Sequence, residues 1–171
     1  PKSGRGSPKS PGRGGNGSML SPQRPKSPVR IASEDSPVRK FASIDMTGSN
    51  LDSFRIPETI PQKNYSLIRK LNLSDNRILK IDFSVFKEVT NLLDLTLARN
   101  AIMKISGILP KGLQRLDMSY NRLQEVKCLA CCLSLRDLYL SNNEINSLDG
   151  LPSSSLERID LTNNALSGKF T

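Results

Sequence analysis

Five segments of this chain repeat one pattern of apolar residues and asparagine. The pattern is L-x-x-L-x-L-x-x-N-x-L. It is filled by Ile68, Leu71, Leu73, Asn76 and Ile78, then by Leu92, Leu95, Leu97, Asn100 and Ile102. Leu113, Leu116, Met118, Asn121 and Leu123 come next, then Leu135, Leu138, Leu140, Asn143 and Ile145, and finally Leu156, Ile159, Leu161, Asn164 and Leu166. The asparagines stand 24, 21, 22 and 21 residues apart. A weaker unit precedes them: Phe41, Ile44, Met46, Ser49 and Leu51 occupy the same slots, with Ser for Asn and with Val38 and Phe54 at flanking apolar positions. An in-phase period of this length constrains the fold strongly. A unit of some 22 residues cannot shield its own leucines, so each must stack on the next. The L-x-L stretch reads as a short strand with leucines inward and the intervening side chains outward.

These matches identify residues 41–171 as resembling the leucine-rich-repeat family. The implied fold class is α/β: a solenoid with a curved parallel sheet on the concave face and irregular or helical return segments. The expected domain layout is a tail over 1–40, a degenerate first repeat over 41–64, and five clear repeats from 65, the last one truncated. Pro57 and Pro61 predict a non-helical connection between the first two units. Ile81, Phe86, Val89 and Leu92 follow the 24-residue repeat type, with Phe86 as its aromatic plug. Val126, Leu129, Cys132 and Leu135, then Leu148 and Leu151, resemble the shorter 22-residue type of intracellular members. Asn164-Ala165-Leu166-Ser167-Gly168 is similar to a plant-receptor repeat. The resemblance also implies that Asn76, Asn100, Asn121, Asn143 and Asn164 turn inward and bond backbone groups.

Family geometry puts the third, fifth, seventh and eighth positions of each unit on the concave sheet. The third column, Lys70, Asp94, Arg115, Asp137 and Arg158, alternates in sign and can pair with itself. The seventh, Ser74, Ala98, Ser119, Ser141 and Thr162, is small throughout. The fifth and eighth columns supply the candidate partner-binding residues Thr96, Arg99, Asp117, Tyr120, Tyr139 and Asp160. That geometry makes Tyr120 and Tyr139 near neighbours on adjacent strands, flanked by Asp117 and Asp160, and exposed tyrosine beside charge is typical of interface hot spots.

Residues 1–40 differ in kind. They hold seven of the eleven Pro, six of the eleven Gly and no aromatic residue. So little apolar surface cannot offset the entropy of ordering the backbone, and a disordered tail is expected. The tail's nine Lys/Arg against two Asp/Glu give it +7, while residues 41–171 carry only +2. Ser10-Pro11-Gly12-Arg13, Ser21-Pro22-Gln23-Arg24, Ser27-Pro28-Val29-Arg30 and Ser36-Pro37-Val38-Arg39 all read S-P-x-R, which resembles the consensus of proline-directed, cyclin-dependent kinases. Ser10, Ser21, Ser27 and Ser36 are therefore the candidate phosphorylation sites. Four phosphates add about −6 to −8, enough to cancel the tail's charge and release it from an acidic polymer or surface. Gly12, Gly14 and Gly17 spell G-x-G-x-x-G, but no strand precedes them and no helical pattern follows, so a nucleotide loop is not expected.

Catalytic chemistry is not expected either. The chain has no His, which removes the usual general base and most zinc sites. Cys128, Cys131 and Cys132 lack a fourth ligand, and repeat phase puts Cys132 in the core. Neither a cofactor nor a small-molecule substrate is implied. An odd number of cysteines without disulfide spacing suits a reducing compartment. There is no membrane-span or signal pattern, and the chain reads as a fragment with further repeats or a coiled coil expected beyond Thr171. The combination resembles leucine-rich-repeat scaffolds of the fungal spindle pole and their animal centriolar relative. This implies a non-catalytic, phosphoregulated scaffold in cell-cycle signalling. Its expected location is the cytoplasm, at a spindle pole, centrosome or other cytoskeletal site, with the nucleus as the alternative. The other implied reading is a regulatory subunit of protein phosphatase 1. Lys80-Ile81-Asp82-Phe83 matches a phosphatase-docking pattern, but Ile81 is an expected core position.

Overall fold

In the computed structural model the described residues are 30–31, 42–152 and 154–167. Strands β1 (Arg30–Ile31), β2 (Ser43–Asp45) and β3 (Lys70–Asn72) open a seven-stranded sheet. It continues through β5 (Asp94–Thr96), β7 (Arg115–Asp117), β8 (Asp137–Tyr139) and β9 (Arg158–Asp160). On the opposite side β4 (Lys80–Asp82) pairs in parallel with β6 (Lys104–Ser106). From β2 onward the main sheet is parallel and in register, with Ile44, Leu71, Leu95, Leu116, Leu138 and Ile159 aligned in one row. The first five are buried, together with Met46, Leu73, Leu97, Met118 and Leu140 two residues on. Ile159 is 44% exposed because β9 has a strand on one side only among the described residues.

Period-2 alternation therefore puts the repeated leucines between the two faces of the coil, where each is covered by its neighbours. The weak first unit is a full member of this stack, as β2 pairs with β3 and Ile44, Met46 and Ser49 are buried. Phe41 lies outside the described residues, as do the tail serines Ser10, Ser21, Ser27 and Ser36.

One feature lies beyond the sequence reading, and one expectation is corrected. Arg30–Ile31, inside the tail expected to be disordered, pair antiparallel with β2, Arg30 opposite Asp45 and Ile31 opposite Ile44. The first strand of a solenoid exposes a row of unpaired N–H and C=O groups, and a short strand laid on that edge satisfies part of it. The connection through Pro57 and Pro61 was expected to be non-helical, yet a 3-10 helix spans Gln62–Leu67 directly after Pro61. Proline suits that place, since the missing N–H belongs to a helix start that leaves it without a partner anyway.

Two more 3-10 helices form the return side, Phe83–Phe86 and Lys127–Cys131. Asp82 caps the first by accepting from the Ser84 N–H at 2.9 Å. That bond is the main reason its carboxyl titrates below the usual range. Inside this segment Phe86 stacks on Phe54, with ring centroids 5.5 Å apart, and Phe83 lies against Phe86 at 6.3 Å. Cys132 is buried in the core as its repeat phase requires, and burial pushes its thiol up to about 12.

Candidate binding face on the concave sheet

The asparagine column holds the turn that ends each strand. Asn121 donates through Nδ2 to the Leu97 and Met118 carbonyls at 3.0 and 2.9 Å and accepts at Oδ1 from the Ile102 N–H at 3.0 Å. Asn143 repeats this one coil later, with Met118 and Leu140 as acceptors and the Leu123 N–H as donor. Asn76, Asn100 and Asn164 make the same bonds. Each amide thus joins two successive coils. Ser49 is too short for this, and its buried Oγ has no partner among the described residues.

The eighth position, just before each asparagine, requires a left-handed backbone. Gly48, Asp75, Arg99, Tyr120, Asn142 and Asn163 all have φ between 54° and 64°. Glycine, asparagine and aspartate tolerate that conformation, and other residues adopt it at a cost of about 1–2 kcal/mol. Four of the six slots obey this preference; Arg99 and Tyr120 do not.

The fifth position has its own local demand. Asp45, Asn72, Asp117 and Asp160 each accept from the backbone N–H two residues on, at 3.0 Å. This Asx turn starts the bend out of the strand. Asp117 and Asp160 are on the concave face as expected, but each gives an oxygen to its own turn. The bonds from Thr162 hold the Asp160 carboxyl below its ordinary pKa. Thr96 and Tyr139 occupy the same column without that chemistry.

Tyr120 and Tyr139 are brought to adjacent coils. The Met118 N–H donates to the Tyr139 carbonyl and the Tyr120 N–H to the Ser141 carbonyl, both at 2.8 Å. Their rings do not pair with each other; each takes an arginine. The Arg99 guanidinium carbon lies 5.5 Å from the Tyr120 ring centre, and that of Arg115 lies 5.1 Å from the Tyr139 ring centre. Each arginine also reaches back one coil, Arg99 to Asp75 and Arg115 to Asp94, both at 3.9 Å. Two Asp–Arg–Tyr chains therefore run across the concave face. The alternating column predicted from sequence supplies Asp94, Arg115, Asp137 and Arg158. Arg158 grips both Asp137 oxygens, at 2.6 and 3.1 Å, which lowers the Asp137 pKa and raises that of Arg158. Exposed pairs of this kind contribute little stability, so their effect is to fix side-chain positions.

Sequence reasoning named Thr96, Arg99, Asp117, Tyr120, Tyr139 and Asp160. It missed that Asp75, Asp94 and Arg115 belong to the same constellation. The signal was present in the eighth column, where Gly, Asp and Asn mark the left-handed slot and make Arg99 and Tyr120 conspicuous. The stretch Lys80-Ile81-Asp82-Phe83 is not available as a docking peptide in the folded chain, since Ile81 and Phe83 are both buried.

A stack of in-register coils with a parallel sheet along one side defines a repeat solenoid. The chain matches the Leucine rich repeat model over residues 66–123 and a two-copy Leucine Rich repeats model over 111–153, and it is a leucine-rich-repeat protein. Mouse osteomodulin (Mus musculus) is 39% identical over 62 residues, covering 35% of this chain and 15% of that protein. The transforming growth factor beta activator LRRC33 of Danio rerio is 30% identical over 94 residues, covering 54% of this chain and 13% of that protein. The chain thus spans a small part of the relatives it matches. Among solved structures, internalin C2 of Listeria monocytogenes is 17% identical, with 73% of this chain and 82% of that chain covered and a TM-score of 0.36.

Proposed function

We infer that this protein is a non-catalytic scaffold whose concave face docks a protein partner through Arg99, Tyr120, Arg115 and Tyr139. One observation carries the reading. Tyr120 sits 52% exposed in a left-handed slot that Asn or Gly would fill with less strain. Strain kept at a surface position points to a role the fold does not supply. The arginine over each ring holds a large amphipathic contact surface in one orientation before a partner arrives, which lowers the entropy lost on binding. Tyr120→Asn should leave stability unchanged or raise it by about 1 kcal/mol in urea melts, the strain it relieves. The same variant should lose the proteins that the wild-type chain retains from a cell lysate. Retention of the same set by Tyr120→Asn and by Tyr139→Ala would refute the assignment.

The regulatory part of the proposal concerns the tail. The unmodified +7 segment is proposed to hold an acidic polymer or surface, and a proline-directed kinase acting on Ser10, Ser21, Ser27 and Ser36 to release it. Support comes from four S-P-x-R matches within one short basic stretch. The site of action proposed is the cytoplasm, at a spindle pole or similar cytoskeletal structure, in keeping with free Cys128, Cys131 and Cys132. Changing all four serines to Glu should weaken binding to tubulin, RNA or anionic vesicles and flatten its salt dependence. Equal binding by the native and four-fold Glu tails would end this part of the proposal.

A further inference from the structure

The return side contains a hollow that follows from the unequal lengths of two neighbouring repeats. Asn76 and Asn100 are 24 residues apart, and Asn100 and Asn121 are 21 apart. The longer return carries the 3-10 helix Phe83–Phe86; the shorter one goes from β6 to Leu113 with a single turn closed by the Leu113 N–H on the Pro110 carbonyl and no helix. The helix therefore has no counterpart beside it, and a cavity of about 630 Å³ opens at the step. Buried Phe86 and Leu109 lie among its lining residues, with Pro110 beside them and Ile108 at the rim, 70% exposed. The volume falls in the range of pockets that take a few side chains of a ligand.

The hollow is pre-formed. Gly107 starts its far wall with φ +78°, and a Cβ there would collide with Asp82 Oδ1 and meet the Ser84 and Phe83 backbone nitrogens at 2.9 and 3.1 Å. The wall therefore sits against the helix start with no room for a side chain between. The lysines at its rim are free to take a ligand's charge: Lys87 and Lys111 line the hollow, and neither has an ion pair among the described residues. The carboxylate at its wall, Asp82, is already engaged by the Ser84 N–H. A smaller hollow shares Ser84 and Lys87 and adds Arg55. Its acidic residue, Glu88, accepts a hydrogen bond from Gln62 Nε2 at 2.8 Å. The chain's own tail, at +7, is electrostatically mismatched to such a site.

We propose that this step on the convex side binds an extended protein segment in which an aliphatic or aromatic anchor is flanked by Asp or Glu. The anchor enters between Phe86 and Leu109, and the flanking carboxylates meet Lys87 and Lys111. It is a second docking site, on the face opposite Tyr120 and Tyr139. Such an arrangement gives one chain two partners at once, or two grips on one partner with the gain that linkage brings.

The test uses the full chain with labelled Ile and Leu methyl groups. The probes are three nine-residue peptides with Phe, Leu or Ile at the centre of an Asp/Glu run, and the same three with Lys replacing the acids. Ile108 and Leu109 methyl signals should shift with the acidic set and saturate by about 1 mM, the range of a weak single-anchor site. The Lys87→Glu/Lys111→Glu variant should bind at least about tenfold more weakly, as charge steering and pairing are reversed. Tyr120→Asn should leave these shifts intact, which separates failure here from failure at the concave face. Silence of Ile108 with every acidic peptide would overturn the proposal. So would equal binding of the Lys peptides or undiminished binding by the charge-reversed variant. Shifts produced by phosphatidylserine vesicles but not by peptides would assign the step to a membrane surface instead.

Discussion

Asn121→Leu should lower the unfolding free energy by about 2–4 kcal/mol, the cost of one buried N–H left without a partner plus three weakened carbonyl contacts. The four groups differ in what remains to them. The Leu97 carbonyl keeps the Asn100 amide at 3.0 Å, the Met118 carbonyl keeps the Asn143 amide at 2.9 Å, and the Ser119 carbonyl keeps the Arg99 N–H at 2.9 Å. The Ile102 N–H has only Asn121 Oδ1, and Ile102 is wholly buried. No water can replace the lost acceptor there. Asn121 lies near the middle of the stack, so the defect separates coils that support each other on both sides. Asn164 makes similar bonds but is only partly buried at the end of the described stack, and Asn164→Leu should cost less. Urea melts of the two variants test this by rank as well as by size. Equal stability of Asn121→Leu and wild type would mean that the asparagine ladder is not what joins the coils.

The sequence revealed what repeats and concealed what does not. Leucine and asparagine recur because every coil meets the same neighbour, so their positions, the parallel register and even the degenerate strand around Ile44 followed from spacing. β1 could not be read, because two residues gain strand structure only from the open edge of β2, with no pattern of their own. The 3-10 helix Gln62–Leu67 was hidden by a rule applied too broadly: proline ends a helix from within but begins one comfortably. On the concave face the columns were legible and their chemistry was not. Asp117 and Asp160 looked like partner-binding charge beside tyrosine, whereas the same residue type at Asp45 and Asn72 shows a turn requirement. Conversely, Tyr120 and Tyr139 are distinguished by lacking what their columns ask for. In the proposed reading, the departures from a repeat's local needs carry the functional information, and the conformities carry the fold.

The same distinction decides Phe83. Spacing assigned the aromatic plug to Phe86 and left Phe83 as the last residue of a short docking-like pattern. In the structure Phe83 is wholly buried, starts the 3-10 helix capped by Asp82, and packs against Phe86, which in turn stacks on Phe54. The longer return segment is thus filled by two rings from one helix turn, which accounts for the longer spacing there. Phe83→Ala removes a wholly buried ring that packs against Phe86, directly after a strand, β4, that is itself paired with β6. A loss of about 3–5 kcal/mol is expected, as for large-to-small changes at rigid core sites. Phe83→Leu keeps most of the volume and should cost less than half as much. The hollow beside Phe86 supplies a second readout: with Phe83 gone, Phe86 can shift inward, and the Ile108 and Leu109 methyl signals should move. A fully stable Phe83→Ala with unmoved methyls would mean that this ring is free to leave the core. The stretch Lys80-Ile81-Asp82-Phe83 would then regain its standing as a docking peptide, and the return side would have to be rebuilt around Phe86 alone.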